Sequence, residues 1–194
     1  MRKDLISSLV AVVALTVIFG LAYPLVITGA SQVLFPTRAD GSQILRNGKV
    51  VGSRLLGQDF SKDPSLFQTR PSPTGDNPAA TAFSNLGPNS KVLRDDIVKN
   101  ARAYLRREGR YNPGLTRAHI PADAVQTSAS GVDPQISVAN ARIQAARVAA
   151  RTGLAKARVL ALVKANTDGR SLGFLGEPGV NVLELDLAIQ EARR

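Results

Sequence analysis

The chain has no cysteine, no tryptophan, one histidine and only 5 % aromatic residues over 194 positions. Without cysteine there is no disulfide, no thiol nucleophile and no Cys-ligated metal, and the composition carries no mark of a redox compartment. The single imidazole, His119, excludes a metal site built on two histidines of this chain. With few aromatic rings, the core must be filled by Leu, Val, Ile and Ala. One further absence is local: no charged side chain occurs between Leu5 and Thr37.

That uncharged run has a direct physical reading. About 20 apolar residues at 1.5 Å rise cross a ~30 Å hydrocarbon core, so the run predicts one transmembrane helix over about residues 7–30. A secretory signal has an apolar centre of ~7–15 residues, about half of what is present, which favours a retained anchor even though Thr28-Gly29-Ala30 resembles a cleavage site. Pro24 would kink a helix in water but is tolerated in a membrane. The expected division is a tail and anchor over residues 1–37 and one domain over 38–194, large enough to bury a core. Arg2 and Lys3 precede the run, and Arg38, Arg46 and Lys49 follow it, so charge alone leaves the orientation open.

The net charge is +10 with a pI near 10.7. Residues 38–194 hold 23 of the 25 Lys and Arg and 14 of the 15 acids, a domain charge of +9. Such a domain suits nucleic acid, anionic lipid or an acidic protein. The cations are scattered, with no Lys/Arg run and no interleaved aromatics, which counts against nucleic acid and favours a solvated surface beside anionic headgroups.

Local signals predict an α+β domain in which helices dominate. Arg46-Asn47-Gly48 between Gln43–Leu45 and Lys49–Val51 predicts a hairpin, because Asn-Gly accepts the positive φ of a type I′ turn. Leu55, Leu56 and Phe60 are expected inside. Residues 64–88 hold five of the 11 prolines and read as a long loop, a length usually tied to function or interaction. Helices are expected from Asn89 or Ser90 to Glu108 ended by Gly109, from Ser137 to Gly153, over Ala155–Asn166, and over Val182–Ala192 with Asn181 as cap and Glu184 at a capping-box spacing. Leu172 to Val180 reads as extended.

Chemistry-bearing motifs are few. No Walker loop and no Gly-x-Gly-x-x-Gly is present. Ser128 and Ser130 with Asp133 offer a hydroxyl and an acid for a surface-tethered hydrolase, but no general base lies nearby in sequence. His119 reads as a surface residue in a Pro-flanked loop. Asp95 and Asp96 complement a helix dipole. Gly173, Gly176 and Gly179 read as tight packing rather than a phosphate cradle. No metal site and no active site emerge, and an anchored binder of anionic polymer stands as the other alternative.

Six segments then occur in order along the chain: Gly52 to Phe60 (GSRLLGQDF), Phe67 to Ser72 (FQTRPS), Ser84 to Pro88 (SNLGP), Pro121 to Val125 (PADAV), Ser128 to Ser137 (SASGVDPQIS) and Gly176 to Leu185 (GEPGVNVLEL). Together they resemble the C subunit of the bacterial potassium-transporting Kdp ATPase, a P-type pump. The chain departs from that family at Ala82-Phe83-Ser84-Asn85, where Ser-Gly-Gly-Ser-Asn is common, and at Leu66, where an aromatic residue often stands.

The resemblance implies a non-catalytic accessory subunit that assembles with a channel-like potassium-binding subunit and a P-type ATPase subunit. ATP and potassium are then handled by those partners, and no cofactor is assigned to this chain. It implies a single pass through the bacterial inner membrane, with the N-terminus cytoplasmic and the domain outside. It also implies a role in raising the ATP affinity of the partner, with Gln144 at the matching position. A hydrocarbon core of ~30 Å separates an external domain from cytoplasmic ATP, so direct contact and external placement exclude one another, and the external reading is preferred. A +9 domain would repel potassium within a ~8 Å Debye length, which favours a clamp over an ion funnel. Candidate partner contacts are the small residues Gly20, Ala22, Gly29 and Ala30 of the anchor, with Arg70, Asn85, Ser130, Gly131 and Asp133 in the motifs.

Overall fold

The structure is a computed structural model that describes residues 2–194. It divides into two compact units between Ser53 and Arg54, so the hairpin expected to open the 38–194 domain groups with the N-terminal unit instead.

The N-terminal unit is dominated by one continuous helix, Arg2–Leu34, of 33 residues. It starts earlier and ends later than the apolar run alone suggested. It comprises α1 (Arg2–Leu15), a π-helical stretch (Thr16–Ala22) and α2 (Tyr23–Leu34), and none of its residues is buried. The widened stretch ends at Ala22, two residues before Pro24, and the Tyr23 N–H bonds to Ile18 O, five residues back. In α geometry the Pro24 ring would press on the carbonyl of Gly20, and a π-helical turn relieves that clash without breaking the helix. After the short α3 (Pro36–Ala39), β1 (Gln43–Arg46) and β2 (Lys49–Ser53) pair antiparallel around Asn47 (φ 51°) and Gly48 (φ 74°), the expected type I′ turn.

The second unit, Arg54–Arg194, carries the core. No helix or strand lies between Ser53 and α4 (Lys91–Glu108), which is capped by the Ser90 hydroxyl accepting from Leu93 N. Gly109 does not close α4 with a left-handed turn; it keeps right-handed φ (−60°) and opens a 3-10 turn. Then come β3 (Gln135–Ser137), α5 (Val138–Thr152), α6 (Lys156–Ala165), β4 (Thr167–Asp168), β5 (Gly179–Asn181) and α7 (Val182–Ala192). The three short strands form an antiparallel sheet in the order β3-β5-β4. Ile136 faces Val180 in that sheet, and both are buried with Ala141, Ala145, Val148, Val159, Leu185 and Ile189. α5 is capped by Ser137 and closed by left-handed Gly153 (φ 76°), as its sequence predicts.

Three further expectations change. Leu55 is exposed, and Phe60 is only partly buried against the core. Residues 172–178 are not extended but form an exposed turn that β5 follows. Glu184 does not close a capping box; its carboxylate takes Arg54 at 3.0 Å, while the Asn181 side chain accepts from Glu184 N.

Candidate functional site: a pinned segment and the clasp above it

Ser65–Gln68 passes through the core without belonging to a strand, so side chains must satisfy its buried backbone groups. Phe67 N donates to Asp186 Oδ1 at 2.8 Å. Gln68 N donates to Gln144 Oε1 at 2.8 Å, and Gln144 Nε2 returns a bond to Gln68 O at 3.0 Å. Arg147 Nη1 donates to the carbonyls of Leu66, at 2.8 Å, and of Pro64.

These side chains sit on the core face of α5 because Asn140, Gln144 and Arg147 follow a helical period beside Ala141, Ala145 and Val148. Arg147 is balanced by Glu108 of α4 at 2.9 Å, and both are fully buried. Arg147 also donates to Gln144 Oε1 at 2.9 Å, and Gln144 Nε2 to Asn140 Oδ1 at 3.0 Å. Tyr104 OH and the Asp123 carboxylate complete the chain through Asn140, each at 2.9 Å. The Gln144 amide therefore uses both lone pairs and both hydrogens inside the protein, and the residue is 0 % exposed. It has no face left for a nucleotide in this conformation.

Above the pinned segment, residues 70–76 clasp residues 128–133. Arg70 pairs with Asp133 at 2.8 Å, and Ser130 Oγ donates to the same carboxylate at 2.8 Å. Ser128 N donates to Pro71 O at 2.8 Å, and Ser72 Oγ to Gly131 O at 2.6 Å. Gly131 lies at φ 79°, and a Cβ there would come within 2.6 Å of Thr74 Oγ1, so the loops meet only because this residue has no side chain. Gly57 is a second close approach: its N–H bonds to Val132 O, and a Cβ would meet Asp133 O at 2.7 Å.

A cleft of about 330 Å³ opens beside the clasp, with Asp59, Arg70, Asp76, Tyr104 and Arg107 among its walls. Burial pushes the Asp76 carboxyl above its usual range, and Asp59 and Asp133 add to this against the Thr69 hydroxyl. Among the described residues, no three His, Asp or Glu side chains gather so as to hold a metal ion.

Of the sequence candidates, Arg70, Ser130 and Asp133 come together as partners of one another, and Gly131 lies beside them with its carbonyl held by Ser72. Asn85 stands apart and exposed, at φ 50°, in a stretch (residues 77–89) that is exposed except for Leu86. Gly20, Ala22, Gly29 and Ala30 are exposed on the long helix, and nothing lies within 4 Å of a Cβ built at Gly29. The hydrolase arrangement is not assembled. Ser130 donates straight to Asp133, and His119 is held in its own 3-10 turn, with Nδ1 accepting from Thr116 N at 3.3 Å.

Sequence reasoning missed Glu108, Asn140, Arg147 and Asp186 as buried polar groups. The available signal was the placement of three long polar side chains on the alanine stripe of α5.

A profile of the KdpC family, described as "K+-transporting ATPase, c chain", matches residues 5–191. The potassium-transporting ATPase KdpC subunit of Methylibium petroleiphilum is 47 % identical over 196 residues, covering all of both chains. That of Rhodospirillum rubrum is 47 % identical over 193 residues, covering 98 % of this chain and 97 % of its own. That of Koribacter versatilis is 44 % identical over 189 residues, covering 96 % and 94 %. The chain therefore belongs to the KdpC family, the accessory C subunit of the potassium-transporting ATPase complex.

Proposed function

We propose that the chain is a membrane-anchored clamp whose globular unit lies outside the cytoplasm and stabilises the assembly of a channel-like potassium-binding subunit with a P-type ATPase subunit. The single observation that carries this reading is the saturated Gln144 amide: the residue matching the family's nucleotide-related position is a structural pin. Any effect on ATP affinity then runs through the shape of this subunit. A coupling of that kind needs differential contact with two states of the partner, not contact with ATP. The exposed 77–89 stretch around Asn85 supplies contact surface, and Gly20, Ala22, Gly29 and Ala30 supply close helix packing.

The test compares two ways of loosening the same pin. Gln144→Ala and Glu108→Gln are built into the assembled complex, and the KM for ATP is measured together with the unfolding temperature of this subunit. In the clamp reading KM rises in step with lost stability for both variants. A KM rise confined to Gln144→Ala, with stability unchanged, would overturn it. For orientation, Asn47→Cys places one thiol in a chain without cysteine. In intact cells stripped of the outer membrane, an impermeant maleimide should label it, and labelling only after lysis would put the globular unit inside.

A further inference from the structure

Two features of the Arg54–Arg194 unit have no role in the pinned segment or its clasp. The first is a groove of about 610 Å³ between α5 and α6, reaching Thr167 at the start of β4. Val138, Leu160 and Val163 line it with hydrocarbon, and Arg142, Lys156 and Lys164 stand around it. These three cations are exposed, and none has a hydrogen-bond or ion-pair partner among the described residues. Elsewhere in the unit Arg54, Arg70, Arg107, Arg147 and Arg170 each hold a carboxylate. Arg94, Lys99 and Arg158 are exposed without one among the described residues, so what sets Arg142, Lys156 and Lys164 apart is the apolar groove they surround.

The second feature is the turn that follows β4. Ser171 and Leu175 exchange backbone bonds at 2.9 Å, and the turn they close presents Leu172, Phe174 and Leu175 at 83 %, 68 % and 50 % exposure. Leu172 sits at φ 53°, a left-handed conformation that is unfavourable for a bulky residue. An apolar tip held outward at a cost in backbone strain marks a place where another surface is met.

We propose that this turn and the α5–α6 groove form one lipid-facing surface: Leu172, Phe174 and Leu175 enter the headgroup–acyl boundary, while Arg142, Lys156 and Lys164 meet the phosphates of anionic lipid. A bilayer interface offers hydrocarbon and negative charge side by side, the pairing these two features lack within the chain. Two of the three cations are lysines, flexible point charges that lie along apolar surface and suit mobile headgroups. Protein–protein interfaces are instead depleted in lysine. The chain brings its own membrane-length helix, so a bilayer is within reach whichever side the unit occupies. The proposal does not depend on the clamp reading.

Because the sequence has no tryptophan, Phe174→Trp gives a single reporter at an exposed position. The full-length variant is placed in nanodiscs of phosphatidylcholine with or without phosphatidylglycerol, with brominated acyl chains as quencher. Leu172→Trp serves as a second probe, and circular dichroism checks the fold of each. A blue-shifted emission quenched by the bromolipids in phosphatidylglycerol discs is expected. Neutralising Lys156, Lys164 and Arg142 to Gln should lower the ratio of lipid-bound to free reporter by about fivefold per cation. Emission that stays red and unquenched at both probes, alone and in the assembled complex, would overturn the proposal. So would a blue shift that appears only on assembly and is insensitive to bromolipid, which would assign the surface to a protein partner.

Discussion

The two units of this chain are built with opposite rules. Arg2–Leu34 turns Leu, Val, Ile and Phe outward and buries nothing, and its backbone needs are met within the helix. Arg54–Arg194 encloses Arg147, Glu108, Asp186 and Gln144, and meets the needs of one segment outside any strand with side chains drawn from α5 and α7. The same physics yields both. In hydrocarbon an apolar surface costs nothing and an unpaired peptide group is expensive; in water the apolar surface must be enclosed, and whatever polar group goes with it must find a partner. Exposure therefore has a different meaning in each unit, and so does charge.

The sharpest way to break this contrast is to remove the charge at the centre of the globular core. Arg147→Ala leaves Glu108 buried without its main partner and strips the carbonyls of Pro64 and Leu66, so a loss of about 3–5 kcal/mol is expected in denaturant unfolding. The double change Arg147→Met with Glu108→Leu should recover much of it, and failure to do so would mean that the carbonyl bonds, not the ion pair, dominate.

A matched pair of substitutions probes the meaning of exposure. Val17 and Val92 are 49 % and 58 % exposed, in the long helix and in α4. Val17→Lys should disfavour membrane integration by about 2.5–3.5 kcal/mol in a glycosylation-mapping assay, the cost of a cation near the middle of a spanning helix. Val92→Lys should change unfolding stability by no more than about 0.5 kcal/mol. Equal, small effects would show that the long helix does not use hydrocarbon as its solvent.

The clasp is more forgiving. Gly131→Ala must place a methyl against Thr74 and hold φ near 79°, which is expected to cost about 1–2 kcal/mol. Thr74→Ala should return part of that loss when combined with it, as unfolding curves of the single and double variants will tell.

The subtlest effect depends on pH. Burial holds the Asp186 carboxyl well above the usual range, opposed by the Phe67 N–H and by Arg147, while Asp63 adds to the rise. A raised folded value means that the folded state binds this proton more tightly than the unfolded chain does. The stability it contributes is present below about pH 4 and is lost as pH climbs toward the raised value. Asp186→Asn retains an acceptor for Phe67 N and cannot ionise, so its stability relative to the parent should improve as the pH rises above about 4. Parallel curves would show that the carboxylate ionises in place without cost.

Much of this architecture was legible beforehand, for identifiable reasons. Asn47-Gly48 fixes its turn through positive φ, and Ser90, Ser137 and Asn181 start their helices through side-chain caps, all of them local effects. The buried network was not legible, because a hydrophobic pattern assigns Arg147 and Glu108 to solvent, and only the fold brings their charges together. Ser128, Ser130 and Asp133 could be singled out as a cluster, yet whether they perform chemistry or tie two loops was decided by Arg70 and Ser72, about 60 residues earlier in the chain. Leu55 shows the converse: an apolar residue that pattern alone would place inside stands exposed.

The pinned segment also constrains the order of events during synthesis. Ser65–Gln68 lies early in the chain, and its partners come late: Gln144 is 76 residues on, Asp186 follows Phe67 by 119, and Arg193 follows Ser65 by 128. As the polypeptide emerges from N- to C-terminus, the segment's backbone groups stay hydrated until α5 and α7 are present to replace the water. Closing a core through such distant residues costs loop entropy before the contacts reward it, so its folding is expected to be slow. A chain stopped before α7 would lack Asp186 and Arg193, and with them the bonds to Phe67 and Ser65 that complete the pinned segment.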